Sequence, residues 1–209
     1  MNKVALITGT SKGIGQAIDR TLWQYNRIQC SPSTEFEDRY ANILSVPCDV
    51  SNREQVKDMV NQGLAKFGRI DVLINNAGSY IFDDFENIKE EDFDNMYKVN
   101  TKGILICTQE ILPIMRKQKT GHIINILSIR GITGCPGRGA YTATKFAAKG
   151  LTDSLRMELK DSNIKVTNIC PGRVAPDKVT NEDICKTVDY VLSVSQNCNI
   201  RDIILGGQL

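Results

Sequence analysis

The sequence is poor in the features that mark membrane, secreted and nucleic-acid-binding proteins. It has no run as long as the roughly 18 apolar residues that suggest a membrane-spanning helix, and no signal-peptide-like apolar region follows Met1. Its 26 Lys and Arg nearly balance 24 Asp and Glu, and no basic block of the kind that binds nucleic acid occurs. We therefore expect a cytoplasmic protein whose partners include neither a membrane nor nucleic acid.

Metal-binding and disulfide-forming patterns are also missing. The seven cysteines are widely spaced and form no C-x-x-C pair or Cys/His cluster, so we expect no metal site. Because their number is odd, they suit no closed disulfide framework, and we expect most of them to be buried as small apolar groups. His122 is the only histidine, which excludes catalytic schemes that need two. Its position at the entrance to an apolar run favours a structural role.

Short apolar runs alternate with longer amphipathic segments along the chain. Parallel strands need crossover connections, which helices provide, and strands buried on both faces have nearly continuous apolar sequences. The pattern therefore predicts an α/β fold in which a doubly wound parallel sheet lies between two layers of helices. At this length one core suffices, so residues 1–209 are expected to form a single domain. The predicted strands are Val4–Thr8, Asp71–Asn75, His122–Ser128, Lys165–Cys170 and Asp202–Leu205.

Two long segments between these strands have helical periodicity. The apolar residues from Val56 to Phe67 fall on one helix face, and Gly68 follows as a residue that typically ends a helix. A second helix is predicted over Glu90–Met115, ending near Pro113. Both would serve as crossovers between parallel strands.

A glycine-rich loop directly follows the first predicted strand. The run Thr8-Gly9-Thr10-Ser11-Lys12-Gly13-Ile14-Gly15 stands between that strand and a helical pattern over Gln16–Trp23. Glycines permit a tight turn and a close approach of the backbone to a pyrophosphate, and the next helix supplies free N–H groups and positive potential. The order favours a dinucleotide site. An ordinary glycine turn is the other interpretation, because the spacing differs from the commoner G-x-G-x-x-G.

Tyr141 and Lys145 form a second candidate site. They are four residues apart, so on a helix they share one face and can reach the same cleft. An adjacent ammonium group stabilises tyrosinate, so we expect Lys145 to lower the pKa of Tyr141 and make it a better acid–base catalyst. Taken alone, the pair is equally typical of an exposed helix surface.

Together with four further motifs, the glycine loop resembles the short-chain dehydrogenase/reductase family. The motifs follow the family's order and approximate spacing over nearly the whole chain. The resemblance implies a Rossmann-fold, NAD(P)-dependent oxidoreductase that interconverts a carbonyl and an alcohol by hydride transfer. The four motifs are Asn75-Asn76-Ala77-Gly78, Ser128, Tyr141-Thr142-Ala143-Thr144-Lys145 and Pro171-Gly172.

The resemblance also implies roles for individual residues. Tyr141 would protonate the carbonyl oxygen, Ser128 would hydrogen-bond to it, and Lys145 would hold the nicotinamide ribose. Asn100 matches the asparagine that holds a water in the family's proton relay, and Asp49 with Val50 would flank the adenine. The expected cofactor-binding residues are Gly9, Ser11, Lys12, Gly13, Ile14, Gly15, Ser31, Ser33, Asp49, Val50, Asn76, Ala77, Gly78, Tyr141, Lys145, Pro171, Gly172 and Val174.

The segment 27–33, which precedes Asp49, departs from the pattern of NAD-preferring members. Where those members have an acidic residue that binds the adenosine ribose, this chain has Ser31-Pro32-Ser33. Lys12 resembles the basic residue of NADP-preferring members and would pair with a 2′-phosphate. We therefore expect NADP(H) to be favoured over NAD(H). The other interpretation is a solvated loop lysine beside two serines that cap the next turn.

A second departure follows Pro171-Gly172. Pro176 stands where the family usually has a threonine that binds the nicotinamide carboxamide, and it offers neither a side-chain donor nor an N–H. The long lid of many members is also missing, because Asn181 already begins a helical pattern. These departures leave open an alternative function, a cofactor-binding or regulatory protein with little turnover. A nucleotide-sugar epimerase or dehydratase is a further alternative, which would need a larger C-terminal domain.

The substrate is not evident from the sequence. Arg130 and Arg173 border the expected pocket, where they would either receive an acidic substrate group or remain solvated. We expect a small-molecule carbonyl or alcohol substrate. By resemblance alone, the helices over Glu90–Met115 and Tyr141–Leu159 would pair in a homodimer or homotetramer.

Overall fold

A computed structural model describes residues 2–32 and 40–206 of the chain. Within them, seven parallel strands form one sheet in the order β3-β2-β1-β4-β5-β6-β7. The order reverses direction between β1 and β4, as in a doubly wound sheet. The strands are β1 (Val4–Thr8), β2 (Asn26–Ser31), β3 (Ile43–Pro47), β4 (Val72–Asn75), β5 (Gly121–Ile126), β6 (Ile164–Pro171) and β7 (Asp202–Leu205).

Helices cover both faces of the sheet and complete the three-layer α/β fold. One apolar core lies between the sheet and α2, α4 and α5, and a second lies between the opposite face and α1 and α6. The buried strands are almost wholly apolar because both of their faces are covered. The helices are α1 (Gly13–Thr21), α2 (Arg53–Phe67), α3 (Glu90–Tyr97), α4 (Gly103–Gln118), α5 (Gly139–Glu158) and α6 (Asn181–Ser193).

The segment predicted as one helix over Glu90–Met115 is divided in the structure. A π-helical turn, Lys98–Lys102, joins α3 to α4 without a break in the helical path. The helix also continues through Pro113 to Gln118. It ends at Lys119, whose φ of 57° is left-handed. Gly68 closes α2 in the same backbone region, as predicted.

A ladder of buried amides crosses the half of the sheet that contains β4 to β7. Asn75 donates to Asn125 at 2.9 Å, Asn125 donates to Asn168 at 3.1 Å, and Asn168 donates to Asp202 at 3.0 Å. Each donor and acceptor occupy paired positions on neighbouring strands. Because an unpaired buried amide is costly, the ladder fixes the register of these four strands.

The cysteines and the single histidine occupy the structural positions expected of them. Five of the seven cysteines are buried, and all seven are free thiols. His122 Nε2 lies 2.9 Å from Thr167 Oγ1, whose hydroxyl donates to the Ile200 carbonyl, so the ring nitrogen acts as the donor. Burial lowers the pKa of His122 to about 3 and keeps the ring neutral. Over the described residues, we find no helix long and apolar enough to span a bilayer.

Candidate active site

A cleft of about 700 Å³ opens at the carboxyl ends of the strands, where the strand order reverses. This is the position at which doubly wound sheets bind their ligands. Most of the residues expected to bind a cofactor line the cleft. They are Gly9, Ser11, Lys12, Gly13, Ile14, Gly15, Ser31, Asp49, Val50, Asn76, Ala77, Gly78, Tyr141, Lys145 and Val174.

The glycine loop is packed tightly against its neighbours. Gly9 has a φ of 73° and its N–H donates to the Cys30 carbonyl at 2.8 Å. A Cβ on Gly15 would overlap the Gly9 carbonyl and the side-chain amide of Asn76. The loop can therefore follow this path only with glycine at these positions.

Asn76 ties the loop to β4. Its side-chain amide donates to the carbonyls of Thr8 and Gly9, at 2.9 and 3.1 Å. The Thr8 hydroxyl accepts from the main-chain N–H groups of Asn76 and Ala77, each at 3.0 Å. These bonds hold two sides of the cleft at a fixed separation.

The first turn of α1 points at the cleft with its donors available. The residue before the helix is Lys12, whose side chain makes no capping hydrogen bond, and the first turn contains no acidic residue. Gly13 has a φ of 60°, and a Cβ there would meet no atom within 4 Å on this open side. Free N–H groups, the helix dipole and open space together fit the pyrophosphate of a dinucleotide.

The far end of the cleft is bordered by β2 and by the residues after β3. Asp49 accepts from the Ser51 N–H at 2.9 Å, which fixes its carboxylate beside Val50. Ser31 also lines this end, whereas Ser33 lies outside the described residues.

Tyr141 and Lys145 reach the other end of the cleft from one face of α5, as their spacing predicted. The Lys145 ammonium lies 5.8 Å from the centre of the Tyr141 ring and donates to the Ile126 carbonyl at 3.4 Å. Ser128 follows β5 and lies near the Tyr141 phenol, whose pKa it acts to lower. Three groups able to donate or accept protons therefore meet at the carboxyl end of β5.

The expectation that Lys145 lowers the pKa of Tyr141 is wrong. Burial raises the pKa of Tyr141 above its ordinary value, against the opposing effects of the Ser128 side chain and of the positive charges on Arg138 and Arg130. Burial also lowers the pKa of Lys145 to about 8, so a fraction of this lysine is neutral near physiological pH. Tertiary burial outweighs the charge effect that the spacing suggested.

Asn100 lies behind the cleft, in the π-helical turn, and is fully buried. Its side-chain amide donates to the Ser79 carbonyl at 2.8 Å and to the Thr144 hydroxyl at 3.0 Å, and its oxygen accepts from the Ser79 N–H at 2.8 Å. Both donors are used, so the amide has only one acceptor position left for a water. Its evident structural effect is to link the segment after Gly78 to α5.

Two expected cofactor residues stand apart from the cleft lining. Pro171 is the last residue of β6 and is buried, and the Gly172 N–H donates to the Leu205 carbonyl at 2.7 Å. The chain then turns back on itself, because the Ala175 N–H donates to the Val179 carbonyl at 3.0 Å. Pro176 lies exposed in this short turn. The segment 172–180 therefore forms a compact connection to α6, with no long lid.

Sequence reasoning missed several lining residues. Cys48, Ser79 and Val99 border the cleft, and each immediately neighbours an expected site residue in the chain. That adjacency is the only signal by which they could have been found. Asn181, at the start of α6, also lines the cleft and had no such signal.

Tyr80 and Tyr141 line the cleft and form an aromatic wall together with Phe82, which packs against both rings. Tyr80 stacks on Phe82 with ring centres 5.1 Å apart, and Phe82 meets Tyr141 edge-on at 5.9 Å. The guanidinium of Arg138 lies over the Phe82 ring, 4.2 Å from its centre. The wall gives the cleft an apolar side next to the Tyr141 phenol.

This geometry agrees with a comparison against known families. The model of the short chain dehydrogenase family matches residues 3–184, which is most of the chain. The protein belongs to the short-chain dehydrogenase family.

Relatives of this short-chain dehydrogenase support the same assignment. An uncharacterised oxidoreductase of Staphylococcus aureus strain USA300 is 34% identical, with 97% of this chain and 96% of the relative covered. An alcohol dehydrogenase from the archaeon Thermococcus sibiricus, solved with 5-hydroxy-NADP, has a TM-score of 0.91 at 26% identity and covers 98% of this chain and 96% of its own. Serine dehydrogenase from Escherichia coli has a TM-score of 0.91 at 30% identity, with 97% and 96% covered.

Proposed function

We propose that this short-chain dehydrogenase is an NADP(H)-dependent oxidoreductase that reduces a ketone or aldehyde to an alcohol, or catalyses the reverse reaction. The observation that carries the proposal is that Ser128 lies beside Tyr141 and Lys145, two residues that line the same cleft as the glycine loop. A dinucleotide that has its pyrophosphate at the loop would extend towards these three side chains.

When bound, the cofactor supplies the hydride that the carbonyl carbon accepts. Tyr141 delivers the phenolic proton to the carbonyl oxygen, and Ser128 hydrogen-bonds to the same oxygen. Lys145 would hold the ribose of the nicotinamide. Since burial holds the pKa of the Tyr141 phenol high, the neutral acid is the resting form, which suits the reducing direction.

Lys12 and Ser31 favour NADP(H) as the cofactor. Lys12 is exposed at the mouth of the glycine loop, and residues 31–33 carry no carboxylate that would repel a 2′-phosphate. The alcohol dehydrogenase solved with 5-hydroxy-NADP and a closed form of serine dehydrogenase solved with NADP+ are similar to this chain and support the same preference. Lys12 would pair with the phosphate as a compact cation.

We also propose that the protein is a homodimer or homotetramer that packs through α4 and α5. Phe146 and Met157 on α5 are 45% and 65% exposed, so this helix presents apolar side chains to a partner. Light scattering of the purified protein would measure the mass directly, and a monomer at micromolar concentration would contradict this part of the proposal.

The central experiment follows the oxidation of NADPH by purified protein across a panel of ketones and aldehydes, with NADH in parallel. The expected result is turnover of at least one carbonyl, with NADPH preferred. Thermal shift with each cofactor measures binding in the same preparation. Tight NADPH binding without oxidation of any panel member would instead support the alternative of a cofactor-binding protein with little turnover.

A further inference from the structure

Two arginines beside the Tyr141 phenol have no part in the proposed reaction. Arg130 follows Ser128 by two residues, and its main-chain N–H donates to the Ser128 hydroxyl oxygen at 3.1 Å. Arg138 immediately precedes α5 and stands three residues before Tyr141. Both cations are therefore attached to the segments that carry the reacting side chains.

The positions of both guanidinium groups are fixed by contacts that leave their charge uncompensated. Arg138 lies over the Phe82 ring at 4.2 Å, and this ring meets Tyr141 edge-on. Arg130 Nη1 donates to the Gly134 carbonyl at 2.7 Å. A cation over an aromatic face and a cation bound to a carbonyl both retain their full charge.

Neither arginine forms an ion pair with any of the residues that the structure describes. On the side facing α3, Arg138 borders a shallow pocket with Lys89, Asp83 and Asp92, but both carboxylates lie farther away than the 4.0 Å of an ion pair. Arg138 thus has N–H donors available, in a fork that matches a carboxylate.

The start of α5 adds positive potential at the same place. This helix of 20 residues has Arg138 as its N-cap residue, with no side-chain cap and no acidic residue in its first turn. The positive end of its dipole therefore lies next to the Tyr141 phenol. In agreement with this arrangement, both arginine charges act to lower the pKa of Tyr141 against the larger effect of burial.

We infer that the substrate is an oxo acid, a carbonyl compound whose carboxylate is held by Arg130 and Arg138 while its apolar part lies against the aromatic wall. The inference rests on the proposed function and names its substrate class. The balanced reaction is oxo acid plus NADPH plus one proton giving hydroxy acid plus NADP+. The carbonyl carbon gains the hydride and its oxygen gains the proton, so the carboxylate itself is unchanged.

The first test compares each oxo acid with its own methyl ester, which has the same carbonyl and no charge. Phenylglyoxylate and 4-oxopentanoate, each with its ester, vary the distance from carbonyl to carboxylate. The expected kcat/KM for at least one acid exceeds that for its ester by about tenfold or more. In Arg138→Gln and Arg130→Gln this acid-to-ester ratio falls about tenfold, and Arg138→Lys restores part of it. Arg20→Gln, on the exposed side of α1, is the matched control and keeps the ratio of the unaltered protein.

A second measurement separates failure of this inference from failure of the proposed function. Calorimetry measures binding of phenylglyoxylate and 4-oxopentanoate to the protein saturated with NADP+, which requires no turnover. If acids and esters are reduced equally well, the oxo-acid inference is wrong and the proposed reductase activity stands. If no carbonyl is reduced, the proposed function fails. If the acids then still bind, and Arg138→Gln weakens this binding about tenfold, the anion site is supported. If they do not bind, the anion site is overturned as well.

Discussion

The two ends of the cleft are built from different parts of the chain. At the cofactor end, the wall consists mainly of backbone, with Gly9 and Gly15 in contact with neighbouring main chain and Asn76 bonded to carbonyls. At the catalytic end, side chains of Ser128, Tyr141 and Lys145 meet, and their bonds reach several elements. The cofactor end therefore depends on close packing of the main chain, and the catalytic end depends on the chemistry of its side chains.

The difference predicts which substitutions each end tolerates. A change of side-chain chemistry at the catalytic end should remove activity and leave the fold intact, because it need add no atom to closely packed main chain. An added atom at the cofactor end should disturb the fold itself, because no space is left there. Substitutions at the catalytic end should thus lower activity with little loss of stability, and substitutions at the cofactor end should lower stability.

The largest effect is expected at the catalytic end, from Tyr141→Phe. Loss of the phenolic proton should reduce kcat about 10²- to 10⁴-fold, with little change in the melting temperature or in NADPH affinity. Steady-state kinetics, thermal denaturation and cofactor titration measure the three quantities. Tyr190→Phe is the control, because Tyr190 is 59% exposed on α6. Turnover of Tyr141→Phe within tenfold of the unaltered protein would show that another group supplies the proton.

At the cofactor end, Gly15→Ala should act on the fold. The added Cβ would overlap the Gly9 carbonyl and Asn76, and overpacking of this kind costs about 1–3 kcal/mol of unfolding free energy. Denaturant titration measures the loss. In Gly134→Ala the Cβ would meet no atom within 4 Å, and we expect a change below about 0.5 kcal/mol. Equal losses in the two variants would contradict the view that close packing governs this end.

The pKa of Lys145 makes the stability of the protein depend on pH. Its pKa is lowered to about 8 by burial, so the folded protein binds this proton less tightly than the unfolded chain, whose lysine has the ordinary value of 10.5. The resulting penalty is fully present below pH 8 and disappears as pH rises from about 8 to 10.5. Lys145→Met should therefore be inactive and, at pH 7, more stable than the unaltered protein. Near pH 10.5 this gain in stability should disappear. Unfolding free energies of both proteins at several pH values test this sign, and a difference that grows with pH would refute it.

The smallest effect is expected from Lys12, the exposed side chain of the cofactor end. Lys12→Gln should weaken NADPH binding about tenfold, the scale of one charge-assisted contact, and change NADH binding little. Fluorescence titration with both cofactors gives the ratio, and Lys117→Gln, an exposed lysine on α4, serves as the control. An equal loss for NADPH and NADH would mean that Lys12 does not read the 2′-phosphate.

The sequence was informative where local spacing determines geometry. Strand, glycine loop and helix occur in succession, so the position of the loop at the edge of the sheet could be predicted. Tyr141 and Lys145 share a helix face because they are four residues apart. The parallel sheet followed from buried apolar strands separated by helices, and the family match confirms the fold that the motifs implied.

Features that depend on distant residues were not predictable in this way. The contact of Phe82 with Tyr141 joins segments far apart in the chain, and neither has a local pattern that points to the other. The π-helical turn at Asn100 has no evident sequence signal. The pKa of Tyr141 was predicted in the wrong direction, because burial is a property of the packed structure and outweighed the nearby charges.

The compact turn 172–180 has a consequence for the time course of the proposed reaction. With Val179 bonded back to Arg173 and Ala175, and Thr180 capping α6 through Asp183, this connection has little slack to fold over the cleft. A catalytic cycle would then lack a slow closing and reopening step at this segment. Dissociation of product and cofactor would be limited by their own contacts, and bulk water would reach the reacting carbonyl throughout the cycle.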